Sequence, residues 1–195
     1  MVMLRSIRQQ AGDTLIEVLL AMGILSVVIV GGSTLMNFGL RNVQNAVEHT
    51  QVRNLIAGQS EILRYLRDKA QPNGSDPASV TWRDNLTKDT AGYVTGAAPS
   101  PIESCEPAAG KKAFYLETTF NAEDAQPAIA VKDYPGNLAD NTRPYAVPGR
   151  GIWIEAVKTA ASPEYIDFHI RSCWTGIGTG ATPQQTNTII RLAIK

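Results

Sequence analysis

From Thr14 to Met36 the chain carries one ionisable side chain, Glu17, in a run otherwise built of apolar and small residues. No other feature restricts the fold so strongly. A helix needs about 20 apolar residues to cross a bilayer, and this run is long enough. Arg5 and Arg8 precede it, with no acid before Asp13. The excess of positive charge places the N-terminus in the cytoplasm and everything after the run outside. The mean hydropathy of the whole chain, −0.11, averages this run with a remainder rich in Pro, Gly, Asn and Thr.

Three readings compete for the segment. A cleaved secretory signal has a shorter apolar core, of about 7–15 residues, and a small-residue cleavage site after it; Gly31-Gly32-Ser33 offers such a site. A plain signal anchor explains length and orientation and leaves Glu17 unexplained. A carboxylate inside a membrane costs several kcal/mol and marks function by default, unless it sits near the interface and snorkels. The third reading joins all the features.

Gly12-Asp13-Thr14-Leu15-Ile16-Glu17-Val18-Leu19-Leu20-Ala21-Met22 closely resembles the cleavage and assembly motif of type IV prepilins and related pseudopilins. The resemblance covers residues 5–40 and fades beyond them. It implies that a prepilin peptidase, which in that family usually also N-methylates the new terminus, cuts after Gly12 on the cytoplasmic side, that Asp13 becomes the first mature residue, and that Glu17 is the fifth. In that family the glutamate is thought to meet the terminal amine of a neighbouring subunit. An unpaired amine and an unpaired carboxylate are both costly where water is scarce. Their pairing adds register more than net stability.

Two departures stand out. The family usually has Phe or Met where this chain has Asp13. Many major pilins carry a helix proline where this chain has Gly31 and Gly32. Each glycine weakens a helix by about 1 kcal/mol relative to alanine, which permits local stretching. Small residues equally permit close helix packing in membranes, and both readings stand.

After Phe38 the chain turns amphipathic. Leu40, Val43, Val47, Leu55, Ile62 and Leu66, with Ala46, Ile56 and Leu63 beside them, fall at helical intervals. Glu48, Arg53, Arg64 and Arg67 lie largely off that stripe, and His49 reads as a solvated polar-face residue. Gln71-Pro72-Asn73-Gly74 ends the pattern. The expectation is one helix over about 14–70, or two broken near Gly31 or Gly39. Residues 72–111, with several prolines, read as an irregular connection with a little local structure near Val80–Trp82. Strands follow at 114–120, 128–134, 152–158, 165–174 and 188–194. Ala160–Glu164 makes a hairpin, and Asp167, His169 and Arg171 fall on a solvent face. The predicted fold is α+β: a long N-terminal helix, half transmembrane and half amphipathic, packed on a C-terminal antiparallel sheet, pilin-like. Its segments are a leader 1–12, a membrane or filament-core helix 13–40, an amphipathic helix 41–71, the connection 72–111 and a β head 112–195.

Cys105 and Cys173 match no CxxC spacing, so metal binding is not indicated. In an exported head they form a natural disulfide, stapling the irregular segment to the sheet; otherwise they are two buried thiols. There is no recognised catalytic spacing, phosphate loop or HExxH. Gly176-Ile177-Gly178-Thr179-Gly180 lies between strands with no helix after it, so it is no dinucleotide loop. A net charge of zero gives no sign of a nucleic-acid partner. The expected protein is therefore not an enzyme and needs no cofactor. It is a filament subunit whose partners are other pilin subunits, the prepilin peptidase, an inner-membrane assembly platform and lipid. It begins as a single-pass membrane protein and ends in an extracellular filament. The TLIEVLLAM stretch resembles minor pilins and secretion pseudopilins as much as major ones, so a pseudopilin of a secretion or DNA-uptake machine fits too. A membrane-anchored extracellular binding or adhesion protein is the alternative of another class; it needs neither Glu17 nor processing at Gly12.

Overall fold

The computed structural model describes residues 13–88, 92–96, 99, 105–107, 112–120, 127–135, 146–176 and 183–194. The expected leader, Gly12 included, and residues 177–180 of the glycine-rich loop lie outside them. The first element, α1, is a single helix of 57 residues, Asp13–Lys69. No proline falls inside it, and no break occurs at Gly31 or Gly39. Arg67 and Lys69 occupy its last turn, where cations offset the negative end of the helix dipole. The Ala70 N–H closes onto the Leu66 carbonyl at 3.0 Å, and Pro72 cannot continue the ladder.

The chain divides into two compact units, Met1–Gln44 and Asn45–Lys195. In the first, α1 from Leu15 to Met36 is apolar all round but for Glu17, with Leu15 64%, Val27 73% and Leu35 74% exposed. A helix of that kind belongs in lipid or among other apolar helices. An 18-residue window reaches a mean hydropathy of 2.4 with no residue of it buried, so the helix is long and apolar enough to cross a membrane. Its hydroxyls are satisfied internally. Ser26, Ser33 and Thr34 donate to the carbonyls of Met22, Ile29 and Val30 at 2.8, 2.8 and 2.6 Å. A segment without water needs such bonds.

In the second unit the rest of α1 buries Glu48, Val52, Ile56, Gln59, Leu63 and Leu66. Ile56, Leu63 and Leu66 are buried as the expected stripe requires, and the rest of that stripe is corrected. Val47 is 50% exposed, Leu55 and Ile62 are half-buried, and Leu40 and Val43, in the first unit, are exposed. The buried row is rotated by one residue because Glu48 and Gln59 belong to it. Each makes a hydrogen bond into the head, which a count of apolar positions cannot register.

The connection holds more structure than expected. A short helix α2, Pro77–Val80, is capped by Asp76, whose carboxylate accepts the Ser79 N–H at 2.9 Å. A π-helical segment, Thr81–Thr87, continues from it and drives Trp82 and Leu86 into the core at 1% and 0% exposure.

Seven strands form one sheet: β1 Val94–Thr95, β2 Phe114–Phe120, β3 Pro127–Asp133, β4 Val147–Pro148, β5 Gly151–Val157, β6 Tyr165–Trp174 and β7 Gln184–Ala193. The antiparallel order is β3-β2-β5-β6-β7, while β1 and β4 add short parallel pairs to β5. At the turn from β4 to β5, Gly149 has φ +80° and a Cβ there would meet the Tyr115 ring at 2.7 Å, so glycine is required. The long helix followed by an antiparallel sheet is the α+β arrangement that the pattern predicts. β7 starts four residues before the expected Thr188, because Gln184–Asn187 pair with Arg171–Trp174 of β6; a strand paired by its backbone needs no apolar side chains there.

One sheet face, with Phe114, Leu116, Ile154, Ile166, Phe168 and Ile170, joins the α1 row in the main core. The other face is covered around Trp153, which corrects the predicted solvent face there. Arg171 is 4% exposed, and Asp167 and His169 are half-buried. Trp153, Ala113 and Cys173 pack there with Cys105 and Tyr134.

Candidate functional site

Glu17 stands in the second turn of α1 and is exposed. The residues around it, Leu15, Ile16, Val18, Leu19 and Leu20, are exposed apolar side chains. Among the described residues, none hydrogen-bonds or ion-pairs with Glu17. A carboxylate on such a surface, once water is withdrawn, is costly unless a cation or hydrogen-bond donor meets it. Asp13 opens the helix, at the end where the dipole is positive and an acid is favoured. The N-terminal amine left by a cut after Gly12 would belong to this same helix end.

Gly31 and Gly32 sit inside α1, and a Cβ at either would meet nothing within 4 Å. The fold of the chain does not itself demand glycine there. Pliancy of the helix and close approach by another helix both remain physical reasons for the pair. Cys105 and Cys173 are joined in a disulfide with Cα atoms 5.5 Å apart. Among the described residues singled out in the sequence as candidate sites, the fold brings these two together from distant positions.

Several polar residues in the head escaped the sequence reading. The Trp174 indole N–H donates to Glu48 Oε2 at 3.3 Å. His49 is not solvated as expected; it is half-buried, with its ring edge-on to Trp174 at 5.0 Å between centroids. Glu155, 2% exposed, accepts from the Trp153 indole at 2.9 Å and lies 3.6 Å from the buried Arg171. The one legible signal was Glu48 standing four residues before Val52, on the same helix face. A cleft of about 410 Å³ is lined by Glu48, Gln51, Val52, Asn54, Leu55, Ala146 and Val147. Among the described residues, no group of three or more His, Cys, Asp or Glu side chains is placed to hold a metal ion.

Residues 7–33 match a family model described as the prokaryotic N-terminal methylation motif. No curated protein and no solved structure shows significant similarity to the chain.

Proposed function

We propose that this chain, which carries at residues 7–33 the motif that signs type IV prepilins, is the precursor of a structural subunit in a type IV pilus or related filament. Prepilin peptidase removes residues 1–12, α1 holds the subunit in the membrane, and an assembly platform extracts it. Subunits then pack helix to helix, with Glu17 of one against the Asp13 amine of the next. One observation carries the reading: Glu17 is a lone carboxylate on an apolar helix surface, with no partner among the described residues. The cut creates the cation that matches it, and the apolar packing strengthens the pair by excluding water. The match of motif and helix also fits a pseudopilin, because both kinds of subunit share processing and packing.

Mass spectrometry of the N-terminus, on protein from membranes and from sheared filaments, tests the processing. A chain beginning at Asp13, with the mass of an added methyl group, is expected. One beginning near Ser33, or one retaining Met1, overturns the reading. The Glu17→Leu variant tests assembly separately. It is expected to be cut and inserted normally and to be lost from filaments; normal incorporation would sink the pairing.

A further inference from the structure

The turn that follows α1 carries a reactive dipeptide. Asn73 is exposed and is followed by Gly74. An asparagine before glycine deamidates readily, because glycine has no side chain to shield its backbone nitrogen from the neighbouring amide carbon. Gly74 cannot be exchanged for a safer residue. A Cβ there would meet Ser79 Oγ at 2.5 Å and Asp76 Oδ1 at 2.8 Å. Asp76 is the cap of α2, and Ser79 Oγ accepts the Gln71 N–H at 2.9 Å. The fold therefore keeps the reactive pair.

The same turn is fastened from both sides. The Gly74 N–H donates to the Gln71 carbonyl at 3.1 Å, which closes a β-turn over Gln71-Pro72-Asn73-Gly74. Such a turn holds the backbone of its third residue, here Asn73, at a ψ of about 0°. Arg83 Nη1 then donates to the carbonyl of Pro72 at 3.3 Å and to that of Gly74 at 3.0 Å. The guanidinium is itself fixed by Asp84, through Nε and Nη2 at 3.0 Å each. It stands on the π-helical segment, which Trp82 and Leu86 anchor in the core. Cyclisation at Asn73 must rotate that ψ and withdraw the Gly74 nitrogen from Gln71, so it must first break these bonds.

We propose that Asn73 is an intramolecular deamidation site that Arg83 keeps closed in the folded protein. When the turn opens, the Gly74 nitrogen attacks Asn73 Cγ. The new N–Cγ bond forms, the Cγ–Nδ2 bond breaks, and Nδ2 leaves as ammonia with the former Gly74 amide proton. Water then adds across one of the two ring C–N bonds of the succinimide. Breaking the bond to Cγ gives aspartate, and breaking the other gives isoaspartate. Either product puts a negative charge on the turn. Isoaspartate also reroutes the main chain through Cβ and lengthens the link from α1 to α2.

The test uses the full chain in detergent, incubated at mildly alkaline pH. Trypsin releases residues 70–83 as one peptide, in which Asn73 is the only asparagine. Its mass and retention distinguish amide, aspartate and isoaspartate. The natural chain is expected to keep the amide at least about tenfold longer when folded than when unfolded in urea. Arg83→Lys keeps the charge and the trypsin site but loses the planar fork that holds Asp84 and both carbonyls. It is expected to deamidate about tenfold faster than the natural folded chain, the loss of about one charge-assisted bond. Asp84→Ala, which frees the Arg83 fork, is expected to move the rate in the same direction. Both rates should stay constant in low, sub-denaturing urea, because local opening exposes little surface. A natural chain that converts as fast folded as unfolded overturns the proposal, and so does an Asn73 that stays intact when unfolded. So do variants no faster than the natural chain, or variant rates that climb with low urea as global unfolding requires.

Discussion

Leu116 of β2 has a backbone problem that one side chain solves. The Tyr134 N–H bonds to the Ala113 carbonyl, so alternation along the β2–β3 ladder turns the N–H and C=O of Leu116 away from β3. On that side β2 meets β5 only at Phe114, and the strand neighbour has run out. Gln59 of α1 takes its place. Its Nε2 donates to the Leu116 carbonyl at 2.9 Å, and its Oε1 accepts the Leu116 N–H at 2.9 Å. A primary amide carries the same donor and acceptor as a peptide group, so it continues the sheet with a side chain. Gln59 is 4% exposed, so water cannot replace it. The Gln59→Ala variant orphans two buried backbone groups and is expected to lose about 2–4 kcal/mol, read from urea unfolding. A loss below about 0.5 kcal/mol would show that the amide is dispensable. Nothing in the sequence pointed to this residue, because a glutamine in a helix looks the same whether it faces water or an unfinished strand.

Among the elements, α1 and β6 were legible from periodicity, their apolar residues recurring at the helical or strand interval over long stretches, and β2 and β5 from their aromatic and β-branched residues. β5 is buried at every position and still reads as a strand, because it is short and rich in Ile, Trp and Val. The helical segments Pro77–Thr87 were not legible. They are short, and their two core residues, Trp82 and Leu86, are only one turn apart, too few to declare a period. The second face of the sheet was misread for a related reason. Its cover comes from residues far away in sequence, and the Cys105–Cys173 bond ties it down across a separation of 68 residues. Replacing both cysteines with serine is expected to cost about 2–5 kcal/mol, read as a lower urea midpoint. Quenching of Trp153 fluorescence by acrylamide should rise as its cover loosens. Unchanged stability and quenching would mean that packing alone holds the segment.

Over the whole molecule, a few paired groups among the described residues contribute to the response to pH. The Arg191 guanidinium holds the Asp167 carboxyl below its ordinary value. Arg83 does the same for Asp84, and hydrogen bonds from Ser79 do so for Asp76. A depressed carboxyl pKa means that the unfolded chain binds protons more readily than the folded one. Stability from these groups is therefore complete above about pH 4 and falls as the pH drops through the folded values. Tyr93 has the opposite sign. Burial, and then its bond to Asp133, pushes its pKa up to about 12. Its contribution is complete below about pH 10 and fades as the pH climbs towards that value. The urea midpoint is thus expected to fall as these carboxyls protonate below about pH 4 and as Tyr93 ionises above about pH 10. Asp167→Asn should reduce the acid slope; an unaltered slope would show that the Arg191 pair contributes nothing. The sequence by itself determined the membrane-length helix, the position of Glu17 on it and the strand-rich head, because those depend on local composition and period. Only the tertiary structure decided which face of α1 is buried and what covers the centre of the far side of the sheet. Each of those depends on hydrogen bonds and contacts between residues far apart in the chain, and local pattern carries no record of a distant partner.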